Sequence, residues 1–187
     1  MNKVKYGLKN VYYSKVSMSS DGTTVLYATP VAIKGAVNLS MAADQEITNI
    51  AADDNSKYVS VAENNGYTGT LEVLVLPESF LADCLGMTYN SSAGTVRENK
   101  DGQIAPFALL FEFSGDEKKT RHVLYNCLAT NPDVASSTKD GAISAATTTL
   151  DITASPALDT GDIKYSIEES SASTYTDWFS AVQVASA

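Results

Sequence analysis

Phe107-Ala108-Leu109-Leu110-Phe111-Glu112-Phe113 is the stretch on which the reading of this chain turns. Alternation puts Phe107, Leu109, Phe111 and Phe113 on one face and Glu112 on the other, the spacing of a strand with one side against a core. A turn, Ser114-Gly115-Asp116-Glu117-Lys118, follows. Residues 120–129 then return with Val123, Tyr125, Cys127 and Ala129 on one side, which predicts a β-hairpin with a charged, exposed tip. Downstream, Thr148, Leu150, Ile152 and Ala154 alternate with Thr147, Thr149, Asp151 and Thr153, a strand with a solvated threonine face. Upstream, Asn65-Gly66 reads as a type I′ turn dipeptide, because both central positions of that turn need positive φ. It would separate Tyr58-Val59-Ser60-Val61 from residues 67–76 as a second hairpin. The chain is expected to be mainly β.

The period changes at Pro77. Proline suits the first helical position, Phe80, Leu81, Cys84 and Leu85 share one face, and Gly86 offers a C-terminal cap, so one short helix is expected over residues 77–85, lying on a sheet. Residues 42–57, between a strand at 36–41 and the Tyr58 hairpin, show no strong period. A loop this long inside a compact domain is usually functional or disordered. Residues 135–145 read as a Ser, Thr, Ala and Gly connection, and residues 170–173 lead into the aromatic Tyr175-Thr176-Asp177-Trp178-Phe179. No solenoid-type repeat is present, and 187 residues with 44% hydrophobic content suit one domain with one core.

The charge balance, 13 basic against 22 acidic side chains for a net of -9, has the wrong sign for gripping a phosphate backbone. No secretory signal pattern or membrane span is evident, so residence in a cytoplasm is expected. Cys84 and Cys127 sit far apart within apolar patterns and read as buried thiols. The single histidine, His122, lies mid-strand without triad spacing and reads as an exposed or half-buried strand residue. Two cysteines and one histidine fall short of a zinc set. Asp44-Gln45-Glu46 and Asp53-Asp54-Asn55 lack the order of an EF-hand loop, and the glycines of 66–70 precede no lysine or helix that would make a phosphate loop. No catalytic residue, metal or cofactor is therefore expected. The 10 tyrosines would suit an adhesive surface as well as the edge of a core. Composition leaves two non-enzymatic readings open, a self-assembling structural subunit and a β-sandwich binding or adhesion module.

Specific strings separate them. Asn64-Asn65-Gly66-Tyr67-Thr68-Gly69 with Leu71-Glu72-Val73, then Leu76-Pro77-Glu78-Ser79-Phe80, then the run from Phe107 through Ser114-Gly115-Asp116-Glu117-Lys118-Lys119-Thr120-Arg121-His122 occur in order. Tyr125-Asn126-Cys127, Leu150-Asp151-Ile152-Thr153-Ala154 and Tyr175-Thr176-Asp177-Trp178-Phe179 follow. Together they resemble the major tail tube proteins of siphophages, the phages with long, flexible, non-contractile tails. The resemblance spans nearly the whole chain. It implies a tail-tube-type β-sandwich or barrel of antiparallel strands with a flanking helix, one domain over residues 1–187. It implies hexameric rings stacked into a hollow tube around a tape-measure protein, with tail terminator and distal tail or tail-tip proteins at the ends. Such a protein is virion tail material assembled in the host cytoplasm; the acidic balance would suit a bore that lets DNA pass without sticking, and equally an outer surface kept soluble by its charge. Some members carry a C-terminal immunoglobulin-like domain, and this chain is expected to lack one.

The resemblance also assigns candidate assembly elements. Residues 42–57, carrying Asp44, Glu46, Ile47, Ile50, Asp53 and Asp54 and flanked by Tyr58, are the first choice for the loop that reaches a neighbouring subunit or ring. The N-terminal arm over 1–20, with Tyr6, Tyr12 and Tyr13, and the C-terminal arm over 175–187, with Tyr175, Trp178 and Phe179, are the second.

Overall fold

The computed structural model describes residues 6–134 and 146–185. The connection expected at 135–145 lies outside these, as do the extreme ends of both expected arms. The chain runs β1 (Leu8–Met18), β2 (Val25–Tyr27), β3 (Val31–Ala32), β4 (Ala36–Ala52), β5 (Asn55–Val73), α1 (Glu78–Asp83), β6 (Thr88–Asn90) and β7 (Thr95–Arg97). It continues with β8 (Phe107–Phe113), β9 (Arg121–Ala129), β10 (Thr148–Ser155), β11 (Lys164–Ile167) and α2 (Ser173–Thr176). The protein is mainly β, and every strand pair is antiparallel. The main sheet follows the order β2-β1-β8-β9-β10-β5-β4, with β3 also on β1 and β11 also on β9.

The β8–β9 hairpin forms as the alternation predicts and stands at the centre of the sheet. Its Phe107, Leu109 and Phe111 enter a cluster with Val11, Leu71, Val73, Leu150 and Ile152. The sheet curls around this cluster, since Ile33 beyond β3 and Leu39 and Met41 on β4, from opposite ends of the strand order, both pack on it. Helix α1 closes one side. Pro77 is its N-cap, and Phe80, fully buried, meets the rings of Tyr13 and Phe107 edge-on at 5.0 and 5.2 Å. A six-residue helix is marginal alone, and burial of Phe80 and its neighbours at roughly 1.5–3 kcal/mol per side chain holds it.

In place of the single core expected, two clusters lie on opposite faces of β8 and β9. The second joins Ala108, Leu110, Val123 and Tyr125 to Val16, Val25, Ala157 and Trp178. Ala108 and Leu110 make the other face of β8 apolar as well, and β9 serves both clusters through a β-bulge: Phe107 faces Cys127 while Leu109 faces Leu124, so one extra residue enters β9 between them. The slip sends Val123 and Tyr125 to the second cluster and leaves Cys127 and Ala129 in the first, where strict alternation had grouped all four. Glu112, expected outward in water, is buried. It accepts hydrogen bonds from Asn10 Nδ2 at 2.7 Å and Arg121 Nε at 3.1 Å and pairs with Lys9 Nζ at 3.1 Å.

The larger correction concerns residues 42–66. There is no loop over 42–57 and no turn at Asn65-Gly66. Strands β4 and β5 form one uninterrupted hairpin whose two-residue turn is Asp53-Asp54, both at positive φ as a type I′ turn requires. Asn65-Gly66 lies inside β5 at a bulge, where Asp44 faces Gly66 and Gln45 faces Asn64, leaving Asn65 as the extra residue. The bulge falls where β5 parts from β10, whose last pair with it is Ala154 and Tyr67. Gly66, at φ +115°, could carry no side chain there: a Cβ would stand 1.9 Å from the Ala154 carbonyl oxygen.

Candidate assembly surface

Beyond that bulge the β4–β5 hairpin leaves the body as a free ribbon. Every residue from 42 to 65 is exposed. Cross-strand register assigns the two faces: Glu46 and Glu63, Thr48 and Val61, and Ile50 and Val59 are opposite pairs on one, while Gln45 and Asn64, Ile47 and Ala62, and Asn49 and Ser60 are pairs on the other. The Ser60 hydroxyl donates to Asn49 Oδ1 at 2.7 Å, and alternation adds Tyr58 to that second face. Both faces present apolar groups to water, with Ile47 65% exposed, Tyr58 56% and Ile50 53%, and Val59 and Val61 only slightly less. Strand β4 is terminal in the sheet, and the register of β5 with β10 covers residues 67–73 only, so among the described residues the ribbon has two unpaired edges.

A two-stranded ribbon in water is marginal at best, and an open edge with apolar flanks invites another strand. Five carboxylates, Asp44, Glu46, Asp53, Asp54 and Glu63, against Lys57 give it a net negative charge. Glu46 directly opposite Glu63 is a repulsive pair. The arrangement offers backbone pairing, apolar anchors and charge to a partner. Among the described residues no group of three or more His, Cys, Asp or Glu is placed to hold a metal. No helix among them is long and apolar enough to cross a membrane.

The residues singled out in the sequence are thus divided. Asp44, Glu46, Ile47, Ile50, Asp53, Asp54 and Tyr58 are brought together on the ribbon, with Asp53 and Asp54 at its tip. Val59, Val61 and Glu63 belong to the same surface; the local pattern after Tyr58 reads as the start of a separate hairpin and so does not assign them to it. The other candidates lie against the body. Tyr13 is 1% exposed, and its hydroxyl donates to Asp83 Oδ2 at 3.2 Å; Tyr12 stacks on Phe179 with centroids 4.9 Å apart. Tyr6 is exposed and lies across the β8–β9 turn, accepting from Gly115 N at 2.9 Å through its carbonyl.

The C-terminal segment folds back over the second cluster. Trp178 is wholly buried and donates from Nε1 to the His122 carbonyl at 3.4 Å, while the Tyr175 hydroxyl donates to the Lys119 carbonyl at 3.2 Å. Arg121 donates to the Tyr175 carbonyl, and its guanidinium lies 3.9 Å from the Tyr175 ring centroid and 4.8 Å from that of Phe179. The side chains of Tyr13, Tyr175 and Trp178 are therefore occupied within the subunit. His122 is more enclosed than expected, stacked on Phe111 at 5.2 Å. Cys84 and Cys127 are both buried and free, and burial drives both thiols up, that of Cys84 to about 12.

No protein-family model matches the chain, and no curated protein matches it. Among solved structures it is similar to the cap that terminates the tube of the anti-feeding prophage, determined by cryo-EM, at 12% identity and a TM-score of 0.41, over 89% of this chain and 94% of that one.

Proposed function

We propose that the protein is a structural, non-enzymatic tail tube subunit of the siphophage type, which polymerises into stacked hexameric rings to form the conduit for DNA delivery. The observation that carries this reading is the ribbon over residues 42–65, apolar on both faces, open on both edges and without a partner among the described residues of its own subunit. Strand order supports it as well: β4 ends the sheet on one side and β2 and β3 on the other, two different edges that a head-to-tail contact between copies would join. Heterologous contacts of that kind close into a ring when the rotation between copies closes, and ring closure removes the open edges. A tape-measure protein in the lumen, and terminator and tail-tip proteins at the ends, are partners of the same proposal. They rest on the sequence resemblance, as does the siphophage assignment.

Negative-stain microscopy of the purified protein, or of tails from infected cells, tests the reading. Sixfold rings or tubes are expected. A protein that stays monomeric at every concentration and instead retains a defined ligand would be a binding module, and the tube reading would fall.

A further inference from the structure

The outermost point of the ribbon is built against its own backbone preference. A type I′ turn is served best by Asn-Gly, yet here it is Asp53-Asp54, at φ 50° and 60°. Neither carboxylate makes an ion pair or a side-chain hydrogen bond among the described residues. At the other end of the same strand lies a groove of about 290 Å³ between β1 and the start of β4, lined by Lys9, Asn10, Tyr12, Ile33 and Lys34 among others and by no carboxylate. Lys34 is exposed and has no ion pair among the described residues. Lys9 shares the single Glu112 with Arg121, so that node keeps a surplus positive charge. In a chain of net charge -9 this is a basic recess. Some 50 Å of extended strand separates it from the tip, so while β4 stays extended the tip cannot reach its own groove.

We propose that the ribbon tip of one copy seats in the Lys9–Lys34 groove of the next, with Asp53 and Asp54 against those ammonium groups. The occupant is a second copy because the two features are complementary in charge and stand at opposite ends of one strand, the condition for a repeating head-to-tail contact. This contact rests on the assembly reading above and names the residues that make it.

The test is the critical concentration for polymerisation, read by light scattering and microscopy, with circular dichroism confirming the fold of each variant. Asp53→Asn with Asp54→Gly gives the turn its preferred residues while removing both charges. It should fold at least as well as the parent and raise the critical concentration roughly fivefold or more, the scale of exposed ion pairs. Lys34→Glu should do the same, and combining it with Asp54→Lys should restore assembly. Parent tubes with unaltered polymerisation of the neutral-tip variant would overturn the contact while leaving the tube reading intact. Failure of the charge swap to restore assembly would overturn the Lys34 pairing. A parent that never polymerises would remove the tube reading itself, and this contact with it.

Discussion

At Gly66 a positive φ coincides with a backbone carbonyl where a Cβ would stand. Gly66→Ala should cost at least ~2 kcal/mol from left-handed strain and displacement of β10, measurable by urea denaturation, and the ribbon should lose its aim because the bulge that directs it is gone. Buried titratable groups set a second expectation. Burial first, and nearby carboxylates after it, push Tyr13 and Tyr27 from 10.0 to about 12 and Cys84 from 9.0 to about 12. Each group therefore ionises in the unfolded chain before it does so in the folded one. The stability they contribute is intact below about pH 9 and lost as pH rises from there to about 12. Thermal melts on either side of that window should show the decline, and native protein at neutral pH should resist thiol alkylation until unfolded.

Ribbon and tail behave as opposite cases among the elements. Nothing between residues 42 and 65 is buried, so replacing 45–64 by a tight Asn-Gly turn should leave the melting transition of the body nearly unchanged and abolish polymerisation. Tubes of normal length from that variant would remove the ribbon from the assembly surface. The C-terminal segment, by contrast, stabilises its own subunit. Trp178→Ala should cost about 3–5 kcal/mol in the free protein, through a cavity in the second cluster and a lost hydrogen bond to His122. A purely intersubunit arm would leave the stability of the free subunit untouched, so equilibrium denaturation of the monomer separates the two roles.

For the whole molecule, stability is distributed unevenly by construction. Strands β8 and β9 carry buried clusters on both faces, whereas the outer part of β4 and β5 carries none. Hydrogen exchange on the free subunit should therefore find slow amides in β8 and β9 and fast ones over residues 42–65, and polymerisation should protect the latter. Exchange over 42–65 that is equally fast in polymer and monomer would place the contacts elsewhere.

The body of the subunit is legible in the chain alone: the β8–β9 hairpin, the inward face of β10, the helix begun by Pro77 and the buried thiols. In each of these large apolar side chains recur at the strand or helix period, and that recurrence is local, whatever lies on the opposite face. The rest depends on which distant segments meet. Residues 42–65 are apolar on both faces, with Ile47 on one and Ile50 on the other, so no inside face exists for a period of two to reveal. Asn65-Gly66 carries the local chemistry of a turn, yet pairing of β4 with β5 on both sides of it makes it a bulge. The bulge in β9 moved Val123 and Tyr125 to a second cluster, where Trp178 from the far end of the chain covers them. Bulges and strand partners are relations between distant segments, and periodicity within one segment does not contain them.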